Sequence, residues 1–321
     1  MRTATLALAS LATLALTAFV PAAIAGDVGV QTVFSLDPNV GQNPEGVAVD
    51  KKGNVFLSVA PTGDLLRRDK KGNVTTHAHF NTGGGFLLGM TVDKSDNVYI
   101  ALASFNADQG VYKVTPGGAV SFVASIPGFP NDIAIDKQSR NLYVTESISG
   151  SVYKVELKTG DAELWFQDPL LEGNIAVSPV PFPIGANGIA FDDDSVIVAN
   201  SQQPRLVRIP IDCGGDPMDP EVILEDEILM GADGIALDVH HDIYVAVNKQ
   251  DLLLKVSGDG EDVDILADAS DGLDFPSTVA FGQGPAGKKN LYISNFALFS
   301  GPTGHPGLLV ADVGVPGKAI P

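Results

Sequence analysis

Six positions in this chain share one setting, each standing just before a recurring five-residue phrase typified by Gly-Ile-Ala-Phe-Asp. The phrases span Gly46–Asp50, Gly89–Asp93, Asp132–Asp136, Gly188–Asp192, Gly234–Asp238 and Thr278–Gly282. The residues preceding them are Glu45, Leu88, Asn131, Asn187, Asp233 and Ser277. Four of the six carry a carboxylate or amide oxygen, and none is Lys, Arg or His. If the fold gathers equivalent positions around one point, two carboxylates and two amide oxygens meet there. Burying two carboxylates together is costly unless positive charge neutralises them. A cation is the simplest neutraliser. Such hard donors suit Ca²⁺, less well Mg²⁺ or Mn²⁺, and do not suit Zn²⁺ or Cu²⁺. A plainer reading holds that Asn, Asp and Ser simply cap turns before strands. It accounts for Ser277 and leaves Glu45, a poor turn former, unexplained.

The spacing of the phrases describes the scaffold that must bring them together. Successive phrases start 43, 43, 56, 46 and 44 residues apart. Each opens a strand that ends in a polar turn such as 51–54, 94–97 or 239–242. A second strand follows (Val55–Val59, Val98–Leu102, Ile243–Val247), then a third (Gly110–Thr115, Ser151–Glu156, Leu206–Ile211). Usually there is a fourth, such as Ala119–Ala124. Four short strands repeated about every 45 residues describe a β-propeller blade. Six phrases therefore predict an all-β, six-bladed propeller. Its last blade has strands at Thr278–Phe281, Asn290–Ser294 and Gly307–Asp312 but no fourth, which Val28–Leu36 is expected to supply. Ring closure of this kind protects sheet edges that would otherwise be exposed.

Strand direction places the six pre-phrase residues at one face, beside the central channel. The turns holding Asp192-Asp193-Asp194 and His240-His241 fall on the opposite face and read as solvated. Apolar residues crowd the channel mouth: Phe86 and Leu88 before blade two, Phe129 before blade three, Phe182 before blade four, and Phe275 before blade six. They can pack blades together or line an apolar substrate pocket. The long step between blades three and four leaves an insertion at about 168–186, expected to overhang the channel as a lid. Ser104, Glu146, Asn200, Asn248 and Asn295 end the second strands on the same face. Some are expected to orient the ligands, with Asn248 and Asn295 assigned to the pocket.

The chain ends bear on location and partners. Met1-Arg2 precede an uncharged run to Ala25 that closes on Ala23-Ile24-Ala25, the small-x-small pattern of a cleavable secretory signal. The reading is residues 1–25 as a signal peptide and 26–321 as the propeller domain, secreted or periplasmic, with no stable membrane association once cleaved. A net charge of −19 disfavours nucleic acid and anionic membranes as partners; the expected partner is a small-molecule substrate. The single cysteine, Cys213, rules out an internal disulfide framework and thiolate metal clusters. There is no G-x-S-x-G elbow and no H-E-x-x-H, so serine hydrolase and zinc protease readings lack their anchors.

Pro44-Glu45-Gly46, Pro130-Asn131-Asp132, Ala186-Asn187-Gly188 and Ala232-Asp233-Gly234, in that order, resemble the gluconolactonase/regucalcin (senescence marker protein) family. Those six-bladed propellers are related to diisopropylfluorophosphatase. The resemblance spans the chain after residue 25. It implies a Ca²⁺-type ion held by Glu45, Asn131, Asn187 and Asp233, hydrolysis of lactones, and Asp233 as catalytic base or nucleophile. One departure stands out. Sugar-lactone members usually carry Arg two residues before the blade-three Asn, where this chain has Phe129, so a hydrophobic lactone or ester is the expected substrate. A phosphotriesterase, a non-catalytic binding propeller with a structural axial ion, and a strictosidine-synthase-like enzyme are the alternatives. The sequence does not indicate an oligomeric state.

Overall fold

The recurring phrase builds the innermost strand of each blade, as its alternating small and aliphatic residues require next to a crowded axis. The computed structural model describes residues 23–24, 28–284 and 287–319, and among these the strands form six sheets, each with four antiparallel strands, arranged as a propeller. Blade one runs from Pro44 to His79, blade two from Phe86 to Ala124, and blade three from Pro130 to Gln167. Blades four and five run from Ala186 to Glu225 and from Ala232 to Ala267. Blade six takes its three inner strands from Pro276–Phe281, Asn290–Asn295 and Gly307–Asp312. Its fourth is Gln31–Ser35, antiparallel to Gly307–Asp312 with Gln31 opposite Val310. The N-terminal strand thus closes the ring as expected, though it is shorter than Val28–Leu36.

Packing between blades supplies the core. Leu142, Val144, Leu206, Val245 and Leu291 are fully buried, and the apolar clusters they belong to span neighbouring sheets. The Asp that ends most phrases has a structural duty at the opposite face. Asp50 Oδ1 accepts from the amides of Lys52 and Asn54, and Asp93 does the same for Ser95 and Asn97. These are Asx-type turns, which need an acceptor two residues before the donor.

That opposite face brings one correction. Asp192 is buried, not solvated: His241 Nδ1 lies 2.7 Å from its Oδ1, and the Lys318 ammonium donates to it. Lys137 and Lys318 also pair with Asp193. Asp192, Asp193 and His241 approach closely enough to hold a metal, but the Lys318 ammonium already sits among them. The C-terminal segment is pinned here by the bridge between Gly317 and Asp238 and by Lys318 N donating to Leu237 O at 2.9 Å.

The secretory segment read at residues 1–25 lies outside the described residues, except that Ala23–Ile24 pairs in parallel with the outer strand Val263–Ala267. Among the described residues no helix is long and apolar enough to cross a membrane.

Candidate metal centre and pocket

A register irregularity recurs where the inner strand of each blade meets the channel. It falls between Pro44 and Val47, Leu87 and Met90, Pro130 and Ile133, Ala186 and Ile189, Ala232 and Ile235, and Pro276 and Thr278. Such bulges re-aim a side chain and bend the strand. Here they turn the pre-phrase residue toward the axis. The following glycine lets adjacent inner strands approach: a Cβ on Gly46 would lie 2.5 Å from the Leu88 carbonyl oxygen. Backbone groups freed by the bulge are taken up by hydroxyls. Gly46 N donates to Ser58 Oγ at 2.7 Å, and Ser58 Oγ donates to Leu88 O at 2.9 Å. Ser277 belongs to this scaffolding, since its Oγ donates to Glu45 O at 2.7 Å.

Glu45, Asn131, Asn187 and Asp233 are 4–5% exposed and line one cavity together. Asn131 Nδ2 donates to Ser147 Oγ at 3.0 Å, and Ser147 in turn donates to Ala186 O at 2.6 Å. Asn187 Nδ2 donates to Ser201 Oγ at 2.8 Å, and Ser201 donates to Ala232 O at 2.6 Å. Each serine spends its only proton on a carbonyl, so it can only accept from the asparagine. That choice commits Asn131 Oδ1 and Asn187 Oδ1 to the opposite side. Both oxygens, with Glu45 Oε2, are buried without a hydrogen-bond partner among the described residues. Asn248 Nδ2 donates to Asp233 Oδ2 at 2.9 Å. Three unpartnered hard oxygens and a buried carboxylate on one rim fit a divalent cation such as Ca²⁺.

Electrostatics make the same demand. Burial pushes Glu45 well above the usual carboxylate range, and repulsion from Asp233 and Asp132 pushes it further. Burial likewise raises Asp233, against the hydrogen bond from Asn248. Asp132 lies just past Asn131 and is raised by burial to about 7, although Ile133 N and Ile189 N both donate to it. Three carboxyls share this region, and no described Lys, Arg or His pairs with any of them.

The cavity above the ring has a volume of about 260 Å³. Phe86, Leu88 and Phe129 form one wall, Val177, Val180 and Phe182 a second, and Phe275, Phe296 and Phe299 a third. Phe129 and Phe182 stack with ring centres 5.1 Å apart, and Phe105 lies 5.8 Å from each. Phe105 and Phe275 hold φ values of 56° and 51°, a left-handed conformation that is strained for bulky residues. Phe105 N is held by Gln109 Oε1 at 2.9 Å and Phe275 N by Asp251 Oδ1 at 2.7 Å. The two readings of the mouth aromatics therefore combine: Phe129 is core and wall at once.

The insertion at 168–186 divides in two. Leu171 is fully buried in the core between blades three and four, and Leu170 packs against it there. Only the stretch from Val177 to Ile184 overhangs the cavity, so the lid is shorter than expected. Its neck is clamped by Asn200 Nδ2, which donates to Leu170 O and Glu172 O at 3.0 and 2.9 Å.

Of the second-strand ends, Asn248 reaches the site and Asn295 does not. Asn295 is fully buried outside the cavity lining, with Nδ2 donating to Gly272 O and His305 O and Oδ1 accepting from Asp274 N. It ties two loops together, which removes it from the pocket. Ser104 pairs with Asp108 instead. Glu146 acts one step back, accepting from Phe129 N at 2.8 Å and from Ile148 N at 2.9 Å. The sequence reading missed Ser147 and Ser201. Their signal was a serine immediately after the second strand in both blades that carry an Asn ligand candidate.

No protein-family profile matches the sequence, and no curated protein matches it either. Solved structures do. A calcium-binding regucalcin from Agrobacterium tumefaciens matches at 18% identity and TM-score 0.67, over 90% of this chain and 95% of that one. A gluconolactonase from Xanthomonas campestris matches at 14% and 0.65, over 90% and 89%. A luciferin-regenerating enzyme matches at 14% and 0.68, over 90% and 97%. At these identities the likeness establishes the shared six-bladed propeller fold.

Proposed function

We propose that the protein is an exported, divalent-cation-dependent hydrolase of apolar lactones or related esters. The observation that carries this reading is the set of three partnerless buried oxygens, on Glu45, Asn131 and Asn187, beside the carboxylate of Asp233. Glu45, Asn131, Asn187 and Asp233 would hold the ion, Ca²⁺ by the hardness of its donors, with Ser147 and Ser201 fixing the two amides. When bound, the ion supplies positive charge that draws on an acyl oxygen and keeps the carboxylates ionised.

The remaining chemistry belongs to the chain. Asp233 sits on the cavity floor, with one oxygen held by Asn248. Ionised, it can take a proton from a water attacking the acyl carbon, or attack that carbon itself. In the first route the water oxygen bonds the acyl carbon, the acyl–oxygen bond breaks, and Asp233 returns the proton to the ring alkoxide. In the second the same bond breaks as an acyl-aspartyl anhydride forms, the alkoxide takes a proton from water, and a second water hydrolyses the anhydride to free Asp233. The aromatic walls exclude water from the alkyl part and leave few partners for sugar hydroxyls beyond Gln202 and Lys249. A buried polar group left unpaired costs about 1–3 kcal/mol. The similarity of fold to a gluconolactonase supports the reaction class, while Phe129 argues against a polyol substrate.

A panel of alkyl and sugar lactones, assayed with Ca²⁺ and with chelator, tests the reading. Alkyl lactones should be hydrolysed faster than gluconolactone, and chelator should stop the reaction. Faster turnover of gluconolactone would show the pocket argument to be wrong.

A further inference from the structure

Gln202 follows Ser201 at the end of the second strand of blade four, where it lines the cavity and is 7% exposed. Asn200 Oδ1 accepts from Gln202 N and Gln203 N, so a tight turn fixes its backbone. Its Oε1 accepts from Asn174 N at 2.8 Å and Ile184 N at 2.9 Å, tying the residue three before the overhanging segment to that segment's far end. Its Nε2 is buried and has no hydrogen-bond partner among the described residues. The amide cannot be turned over, because that would set its NH₂ group against two N–H donors. The orientation of the free donor is therefore dictated by the clamp.

The clamp explains the oxygen and leaves the nitrogen over. A glutamate could accept from the same two amides, but when ionised it would add a third carboxylate to the lining that already holds Glu45 and Asp233 and would donate nothing. The turn does not demand an amide either, since the matching position in blade three, two past Glu146, is Ile148. Buried donors are rarely left without an acceptor, and the walls around this one are largely aromatic and aliphatic. The geometry points to Gln202 Nε2 as the donor that receives a carbonyl or ester oxygen of the bound ligand. It makes the mostly apolar walls of the cavity select carbonyl-bearing molecules and orients them over the polar floor. This deepens the hydrolase reading and rests on the same cavity being the substrate site. Gln202 is accordingly a positioning residue, working beside Asn187 and Asp233.

Binding tests it without turnover. The full-length protein is titrated with 2-pentylcyclopentanone and with pentylcyclopentane, a pair differing in one oxygen, in the presence of chelator so that no cation competes for that oxygen. The wild type should prefer the ketone, and Gln202→Glu and Gln202→Met should each lower that preference, read as the ratio of ketone to hydrocarbon affinity, about tenfold. Gln202→Glu keeps an acceptor for Asn174 and Ile184, and Gln202→Met adds no charge, so agreement between the two isolates the lost donor. With lactone and Ca²⁺, both variants should raise KM more than they lower kcat. An unchanged ketone preference, or an equal loss of both ligands, would overturn the proposal and leave Gln202 as a clamp only. Absence of lactone turnover in the wild type would remove the hydrolase reading and leave the binding comparison decisive for Gln202.

Discussion

Removing the cation should make stability fall with rising pH in a way that the loaded protein does not share. The cause lies in the carboxyls around the channel. Burial raises Asp132 from 3.8 to about 7, and Glu45 and Asp233 are raised as well. A raised carboxyl means that the native state holds more protons than the unfolded chain between the two pKa values. Stability is then full below about pH 4 and is lost as pH climbs toward the raised value. Asp233 alone, raised from 3.8 to about 8, accounts for a loss of about 4 kcal/mol by pH 7, the three units between 3.8 and 7 at about 1.4 kcal/mol each. Glu45 adds to it, because burial and repulsion from Asp233 make it harder to ionise. A divalent ion binds the ionised forms, so its affinity should rise about tenfold per pH unit for each proton it displaces. Urea unfolding with Ca²⁺ or with chelator, repeated from about pH 4 to about pH 8, gives the difference directly and cancels carboxylates elsewhere. The two stabilities should meet near pH 4 and diverge by several kcal/mol near neutrality. Parallel curves would refute the reasoning, because they would mean that the ion does not bind the buried carboxyls.

Three further outcomes are expected. Asp233→Asn should abolish lactone hydrolysis while leaving the circular dichroism spectrum and the apolar cavity intact. Ser201→Ala should weaken Ca²⁺ binding about 10- to 100-fold by releasing the Asn187 amide, as loss of a ligand's supporting hydrogen bond commonly does; calorimetric titration reads this. Phe129→Arg should shift the ratio of kcat/KM values toward sugar lactones, since it places a donor fork beside Asn131.

The architecture was legible because six copies of one phrase at near-constant spacing admit few arrangements, and the missing fourth strand of blade six pointed to Val28–Leu36, within which Gln31–Ser35 makes the pairing. The four metal-ligand candidates were legible for the same reason: equivalent positions in a ring must converge. Contacts between unlike positions were not. Ser147 reaches Ala186 and Ser201 reaches Ala232 across a blade boundary, which no local pattern encodes. Asn295 looked equivalent to Asn248 by register, yet the loops holding Gly272, Asp274 and His305 claim both ends of its amide. Asp192 looked like one of three solvated acids until the C-terminal Lys318 arrived from 126 residues away. The insertion read as one lid because its apolar residues are evenly spread, whereas Leu171 belongs to the core and only Val177–Ile184 faces the cavity.

The central claim is that one cation on the Glu45–Asn131–Asn187–Asp233 ring makes this propeller a hydrolase. Titrating Ca²⁺ into chelator-stripped protein while following hydrolysis of an alkyl lactone tests it most directly. The rate should rise from background and saturate at one ion per chain, and Asp233→Asn should stay flat throughout. Full turnover by the stripped protein, or saturation of the ring with no turnover of any lactone, would contradict it.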